Sequence, residues 1–170
     1  MEASTRRSAI LRALTAADSP ISASALAAQF SVSRQIIVGD VALLRAAGEA
    51  ISATPRGYVL VRSVQGIERT VACRHDLAGT REELYILVDN GCSVLDVVVE
   101  HAVYGQLVGQ LQLSSRYDVD QFMDRLGQEG NKPLSTLTEG IHLHTLRCPD
   151  EAAYERAREA LRAAGYLLEE

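Results

Sequence analysis

The chain has 170 residues, 47% of them hydrophobic and 23% charged, with a formal net charge of -5. It is long enough to bury a core and too mixed in composition to stay disordered, and no apolar run approaches the roughly 18 residues of a membrane span. With no apolar leader in Met1 to Ser8 and three widely spaced cysteines (Cys73, Cys92, Cys148), the sequence argues against export, membrane insertion, a disulfide framework and a CxxC metal site, and for a reducing cytoplasm.

The overall charge conceals an asymmetry. Residues 1–62 carry seven arginines against four acids, a balance of +3, whereas residues 63–170 carry -8 and all four histidines. A positive front on a negative body suggests a DNA reader joined to a part that must avoid DNA. Within the front segment, Ile10, Leu11 and Leu14 follow Arg6-Arg7 at helical spacing and give a helix of roughly ten residues that stops at Ala17-Asp18-Ser19-Pro20. A short second helix starts after Ser22 or Ser24, and Ser31-Val32-Ser33 then leads into a third, residues 34–47, which Ser33 caps and Gly48 ends. Two short strands follow about Thr54-Pro55-Arg56-Gly57. Helix, short turn, helix and hairpin make a winged helix-turn-helix.

In that fold the third helix enters the major groove with its N-terminal residues toward the base edges. Ser33, Arg34 and Gln35 are therefore expected at DNA, Arg56 of the wing at phosphate or the minor groove, and Arg6 and Arg7 at phosphates. Ile36 either meets a thymine methyl or packs. The segment SVSRQIIVGDVALLRAAGEAISATPRGYVL resembles the winged helix-turn-helix at the N-terminus of biotin-operon-type repressors, over about residues 6–61.

After a polar break at Arg62 to Gly66, the elements expected are strand 67–74, helix 81–90 capped by Thr80, and strands 93–101 and 106–113. They continue with a helix that Asp118 caps and that carries Val119, Phe122, Met123 and Leu126 on one face, then strand 140–147 and helix 151–164. The order β-α-β-β-α-β-α predicts a mostly antiparallel sheet with helices on one side. The fold class is thus α+β, with domains at 1–62 and 63–170. The histidine phosphocarrier fold shares that order, as do ferredoxin-like folds apart from the last helix, so the order does not fix the chemistry.

His142 and His144 lie two apart in a strand and project from one face, opposite Ile141 and Leu143. With His75 just after the first strand and Glu83 in the first turn of the next helix, the chain can offer three nitrogens and a carboxylate, suited to zinc, nickel or iron. The competing reading of His-x-His is two exposed histidines of an edge strand. His101 opens the run His101-Ala102-Val103-Tyr104-Gly105, either as a turn histidine bonded to backbone or, with Tyr104, as part of a pocket near the ion.

Residues 67–166 resemble the three-histidine (3H) domain, which joins a winged helix in the niacin-responsive transcriptional repressors of bacteria. The stretches that carry the likeness are ACRHDLAGTREELYILVDNGCSVLDVVVEHAVYGQL, SSRYDVDQFM and LSTLTEGIHLHTL. Ala102 departs from the proline usual after the middle histidine and removes no ligand. The resemblance implies a homodimeric repressor, not an enzyme, with nicotinic acid as corepressor, controlling NAD synthesis or niacin uptake. It also implies one divalent metal ion per chain, held by His75, Glu83, His142 and His144.

On this reading the ion is a docking point for the small-molecule effector, and Arg116 is the expected partner of its carboxylate. A dimer of such readers calls for a nearly palindromic double-stranded operator. The alternatives are a regulator for which the ion itself is the signal, a metalloenzyme, which lacks a general base of the HExxH kind, and a phosphohistidine relay.

Overall fold

The computed structural model describes residues 2–61, 66–128 and 130–169. The domain division expected at 62/63 and all of the expected polar break at 62–66 except Gly66 lie outside the described residues. Contacts separate two compact units, Met1–Val64 and Gln65–Glu170. The chain is α+β, with a helical helix-turn-helix region first and a mostly antiparallel sheet with helices second.

The first unit comprises α1 (Ala3–Ala16), α2 (Ala23–Phe30), α3 (Arg34–Ala46), β1 (Ile51–Thr54) and β2 (Gly57–Leu60). Ser22, rather than Ser24, caps α2, its Oγ accepting the Ala25 N–H at 3.0 Å. Ile10 and Leu14 of α1 pack on Leu26 of α2 and on Ile37, Val41 and Leu44 of α3. Helix α1 is longer than its apolar spacing indicated, and it carries Arg6 and Arg7 toward α3. There Arg6 Nε donates to Asp40 Oδ2 at 2.6 Å and Arg7 approaches the same carboxylate at 3.6 Å. The wing is also larger than a hairpin. Ile21 and Tyr58 exchange backbone hydrogen bonds of 3.0 and 2.8 Å, which adds the loop before α2 to its edge. Gly57 permits this approach: at φ +136° it leaves room where a Cβ would lie 2.5 Å from the Ile21 carbonyl carbon.

The second unit comprises β3 (Ile67–Arg74), α4 (Thr80–Asp89), β4 (Ser93–His101), β5 (Gly105–Leu113), α5 (Arg116–Leu126), β6 (Ile141–Cys148) and α6 (Glu151–Ala163). Short 3-10 turns at Leu77–Gly79 and Leu134–Thr138 occupy connections with no expected element. Helix α5 starts earlier than expected. Ser115 is its cap, accepting the Asp118 N–H at 3.2 Å, and Asp118 reaches back to the Ser114 N–H at 2.9 Å.

The sheet order is β3-β6-β4-β5, antiparallel throughout, so β6 is an interior strand. Its residues alternate: His142, His144, Leu146 and Cys148 are buried. On that side Val71, Cys73 and Leu146 pack with Leu84 and Leu87 of α4, Val119 of α5, and Ala153, Ala157 and Leu161 of α6. The other face keeps Thr70, Val108 and Ile141 exposed. Cys92 and Cys148, 56 residues apart in sequence, form a disulfide at a Cα separation of 4.3 Å. This departs from the expectation that the cysteines would build no disulfide framework, because the turn before β4 and the end of β6 meet only in the folded sheet. Among the described residues no helix is long and apolar enough to cross a membrane.

Candidate metal centre and DNA-reading surface

Helix α4 buries Thr80, Glu83, Leu84 and Leu87, the i, i+3, i+4, i+7 stripe of a core-facing helix. A carboxylate thus occupies a core position, 1% exposed, and it is surrounded by imidazoles. His75 Nε2 lies 2.5 Å from Glu83 Oε2; His142 Nε2 lies 2.9 Å and His144 Nε2 3.1 Å from Oε1. The register that pairs Cys73 with His142 and Val71 with His144 delivers both β6 histidines under α4. They are 3% exposed on an interior strand, which removes the edge-strand reading.

The outer nitrogens of these rings are committed. His75 Nδ1 donates to the Asp76 carbonyl at 2.7 Å, His142 Nδ1 to Gly140 at 2.8 Å and His144 Nδ1 to Asp96 at 2.7 Å. A carbonyl can only accept, so each Nδ1 carries the proton, and in a neutral ring the Nε2 lone pair points at Glu83. The last of these bonds depends on an irregularity: the register of β4 against β6 shifts between Val94 and Val98. In that interval Asp96 turns its carbonyl to His144 and its carboxylate to the Thr145 N–H, at 3.0 Å.

Burial alone would raise the Glu83 pKa, but the charge of His144 and the contacts of His142 and His75 hold it well below the ordinary carboxylate range. Burial would lower His75 and His144, and Glu83 outweighs it at both, raising their pKa values. His144 Nε2 is buried and, although it lies 3.1 Å from Glu83 Oε1, it makes no well-aligned hydrogen bond there. Three imidazoles, each with its Nδ1 pinned by a carbonyl, converge on one carboxylate, a donor set that fits a divalent transition ion such as zinc, nickel or iron. Sequence spacing did not single out Cys73. Its sulfur lies within 4.8 Å of donor atoms of Glu83 and His142, and burial pushes that thiol's pKa up.

A cavity of about 540 Å³ opens beside this cluster, lined by Arg74, His75, Asp76 and Leu77 on one side and Ser135, Thr136, Glu139 and Gly140 on the other. Gly140 makes room for the site, since at φ +90° a Cβ there would lie 2.3 Å from the His75 carbonyl oxygen. His101, Tyr104 and Arg116 are not among the residues lining the cavity. Arg116 makes a two-pronged pair with Asp89, at 2.8 and 2.5 Å, over the Tyr85 ring. His101 Nδ1 accepts the N–H groups of Val103 at 3.1 Å and Tyr104 at 3.3 Å at an exposed hairpin tip, which is the turn arrangement weighed for it.

In the first unit, Ser33 Oγ accepts the Ile36 N–H at 3.3 Å and caps α3. Arg34, Gln35 and Ile36 are exposed on its first turn, followed along the same exposed face by Gly39 and Leu43. Ile36 does not pack into the core. A Cβ built on Gly39 would meet nothing within 4 Å, so the face is open at that position. Arg56 sits on the wing, its backbone N–H donating to Thr54 Oγ1 at 3.2 Å. Arg6 is committed to buried Asp40, and Arg7 shares that carboxylate while remaining partly exposed.

Comparison with known proteins bears on both units. An HTH domain matches residues 6–59 and a 3H domain matches residues 68–170. The chain is 44% identical over 165 residues to a protein of Thermotoga maritima named as the probable transcription repressor NiaR. It is 41% identical over 169 residues to the transcription repressor NadR of Bacillus subtilis. Each alignment covers 97% of this chain and 94% of the relative. Both relatives are named as regulators rather than enzymes.

Proposed function

Because the chain belongs to the family of transcription repressors that join an HTH domain to a 3H domain, we propose that it is a cytoplasmic, DNA-binding repressor that senses nicotinic acid through a metal ion. Its targets on this reading are genes of NAD synthesis or niacin uptake. The observation that carries the sensing role is the continuity of cluster and cavity, for His75 touches Glu83 and also lines the 540 Å³ space. That size suits a one-ring ligand.

In this proposal His75, Glu83, His142 and His144 hold one divalent ion, which supplies a Lewis-acidic docking point. The chain's own part is to set the tautomer of each imidazole through the three carbonyls and to present Arg74. Arg74 lines the cavity, and in this proposal its guanidinium takes the effector carboxylate, the role the sequence offered to Arg116.

On DNA, Arg34 and Gln35 read base edges and Ile36 is free to meet a thymine methyl. Ser33 sets the start of the helix near the phosphates, and Arg56 and Arg7 contact the backbone. Arg6 acts by fixing α1 to α3. A homodimer places two such helices about one turn of DNA apart, roughly 34 Å, which requires a near-palindromic operator. The effector strengthens DNA binding insofar as it binds the operator-competent arrangement better than its alternatives.

The test is calorimetric titration of nicotinate into metal-free and metal-loaded protein. Binding that needs the metal supports the reading. Equal affinity in both removes the ion from the site, and DNA binding switched by the ion without nicotinate makes the ion the signal.

A further inference from the structure

The three histidines of the cluster are not held alike. His142 and His144 sit inside β6, and their Nδ1 acceptors belong to the Gly140 turn and to β4. His75 lies one residue beyond the end of β3, and its Nδ1 acceptor is the carbonyl of its own neighbour Asp76. A bond to the adjacent residue moves with the loop and cannot fix the ring against the sheet. Packing must do so. On one side the His142 ring stands edge-on at 4.8 Å between centroids; on the other, Tyr166 stands at 5.2 Å and 69°.

Tyr166 is anchored from three directions. After α6 and Gly165 the chain returns along the free edge of β3: Arg74 donates its backbone N–H to the Tyr166 carbonyl at 2.9 Å, Leu168 donates its own to Ala72 at 2.9 Å, and Leu167 bridges Cys73. The Tyr166 hydroxyl donates to Glu82, the neighbour of Glu83 on α4. Gly79 closes the third side, where a Cβ would lie 3.0 Å from both Tyr166 Cε1 and His75 Cβ. The C-terminal segment therefore clasps the sheet edge and presses one aromatic ring on the ligand with the weakest backbone support.

We propose that Tyr166 is a positioning residue that holds the His75 imidazole in its metal-ligating orientation. The inference rests on the metal-binding reading of the cluster. It makes residues 166–168 part of the support of the site, and it assigns the effect to the ring rather than to the hydroxyl.

The test uses the full chain and Co(II), with affinity read by competition against a chromophoric chelator and geometry by the visible Co(II) bands. Tyr166→Ala should weaken binding about tenfold, the scale of losing an outer-shell partner. Tyr166→Phe should stay within about twofold of the parent. In a His75→Ala background, Tyr166→Ala should cost nothing further, because the residue it acts through is gone. If melting of the metal-free protein shows that the alanine variant does not fold, Tyr166→Leu, which can keep the edge pairing, carries the same expectation. Unchanged Co(II) affinity and bands in Tyr166→Ala, or an equal loss with and without His75, overturns the proposal. A parent chain that binds no Co(II) overturns the metal reading itself.

Discussion

The two units place their ionisable groups in opposite ways. In the first, the groups expected at DNA stand on the exposed first turn of α3, while the one buried acid, Asp40, is answered by Arg6 and Arg7. In the second, a carboxylate 1% exposed is enclosed by three imidazole nitrogens and, among the described residues, pairs with no arginine or lysine. Asp40 has a permanent countercharge and so ties two helices together. Glu83 has only titratable or neutral partners, an arrangement that desolvation disfavours unless protons or a cation complete it. A buried acid answered by arginine fastens a fold; one answered by imidazoles leaves a place for a cation.

The contrast can be broken on either side, and the largest effect belongs to the second unit. His144→Ala removes one of four donors and should weaken Zn(II) or Co(II) binding by about 3 kcal/mol or more, a fraction of the roughly 10–16 kcal/mol of four-ligand zinc sites. A change below threefold in chelator competition would mean that the imidazoles merely neutralise Glu83.

Next is Asp40→Ala, which strands Arg6 at the α1–α3 contact and should destabilise the first unit by about 3 kcal/mol. Hydrogen exchange resolved along the chain should show faster opening of residues 3–46 and unchanged protection of β6. Equal losses in both units would contradict their separate bookkeeping of charge.

Arg34→Ala and Gln35→Ala should leave both units folded and cost about 1–3 kcal/mol each in discrimination between operator and random DNA. Equal losses on the two DNAs would place these residues on the backbone instead.

The smallest effect is on pH. The raised pKa values of His75 and His144 mean that the metal-free cluster holds its protons up to a higher pH than free imidazoles do. Metal uptake should therefore release protons at neutral pH, and affinity should fall as pH falls. Calorimetry in buffers of different ionisation enthalpy measures the release; identical heats in all of them would show that the rings are already neutral.

Local features were legible in the sequence. Strands 67–74 and 93–101 and the cap of α3 follow from apolar alternation and from a serine at the right place. The alternation of 141–148 put both histidines on one face, and that face proved to be the buried one. Pairings between distant residues were not legible. Nothing near Arg116 predicts Asp89 as its partner, nothing near Arg74 predicts a cavity wall, and nothing near Tyr166 predicts His75. The Cys92–Cys148 bond and the Arg6–Asp40 pair were hidden in the same way. Each depends on which elements become neighbours: α1 and α3 for Arg6 and Asp40, α4 and α5 for Asp89 and Arg116, and the β3-β6-β4-β5 order for the groups of the sheet.

The coupling of the two units is tested most directly by a gel shift on the promoter of NAD-synthesis genes, with metal-free and metal-loaded protein, each with and without nicotinate. Tight binding only when metal and nicotinate are both present is the expected result. Equal binding under all four conditions would contradict it.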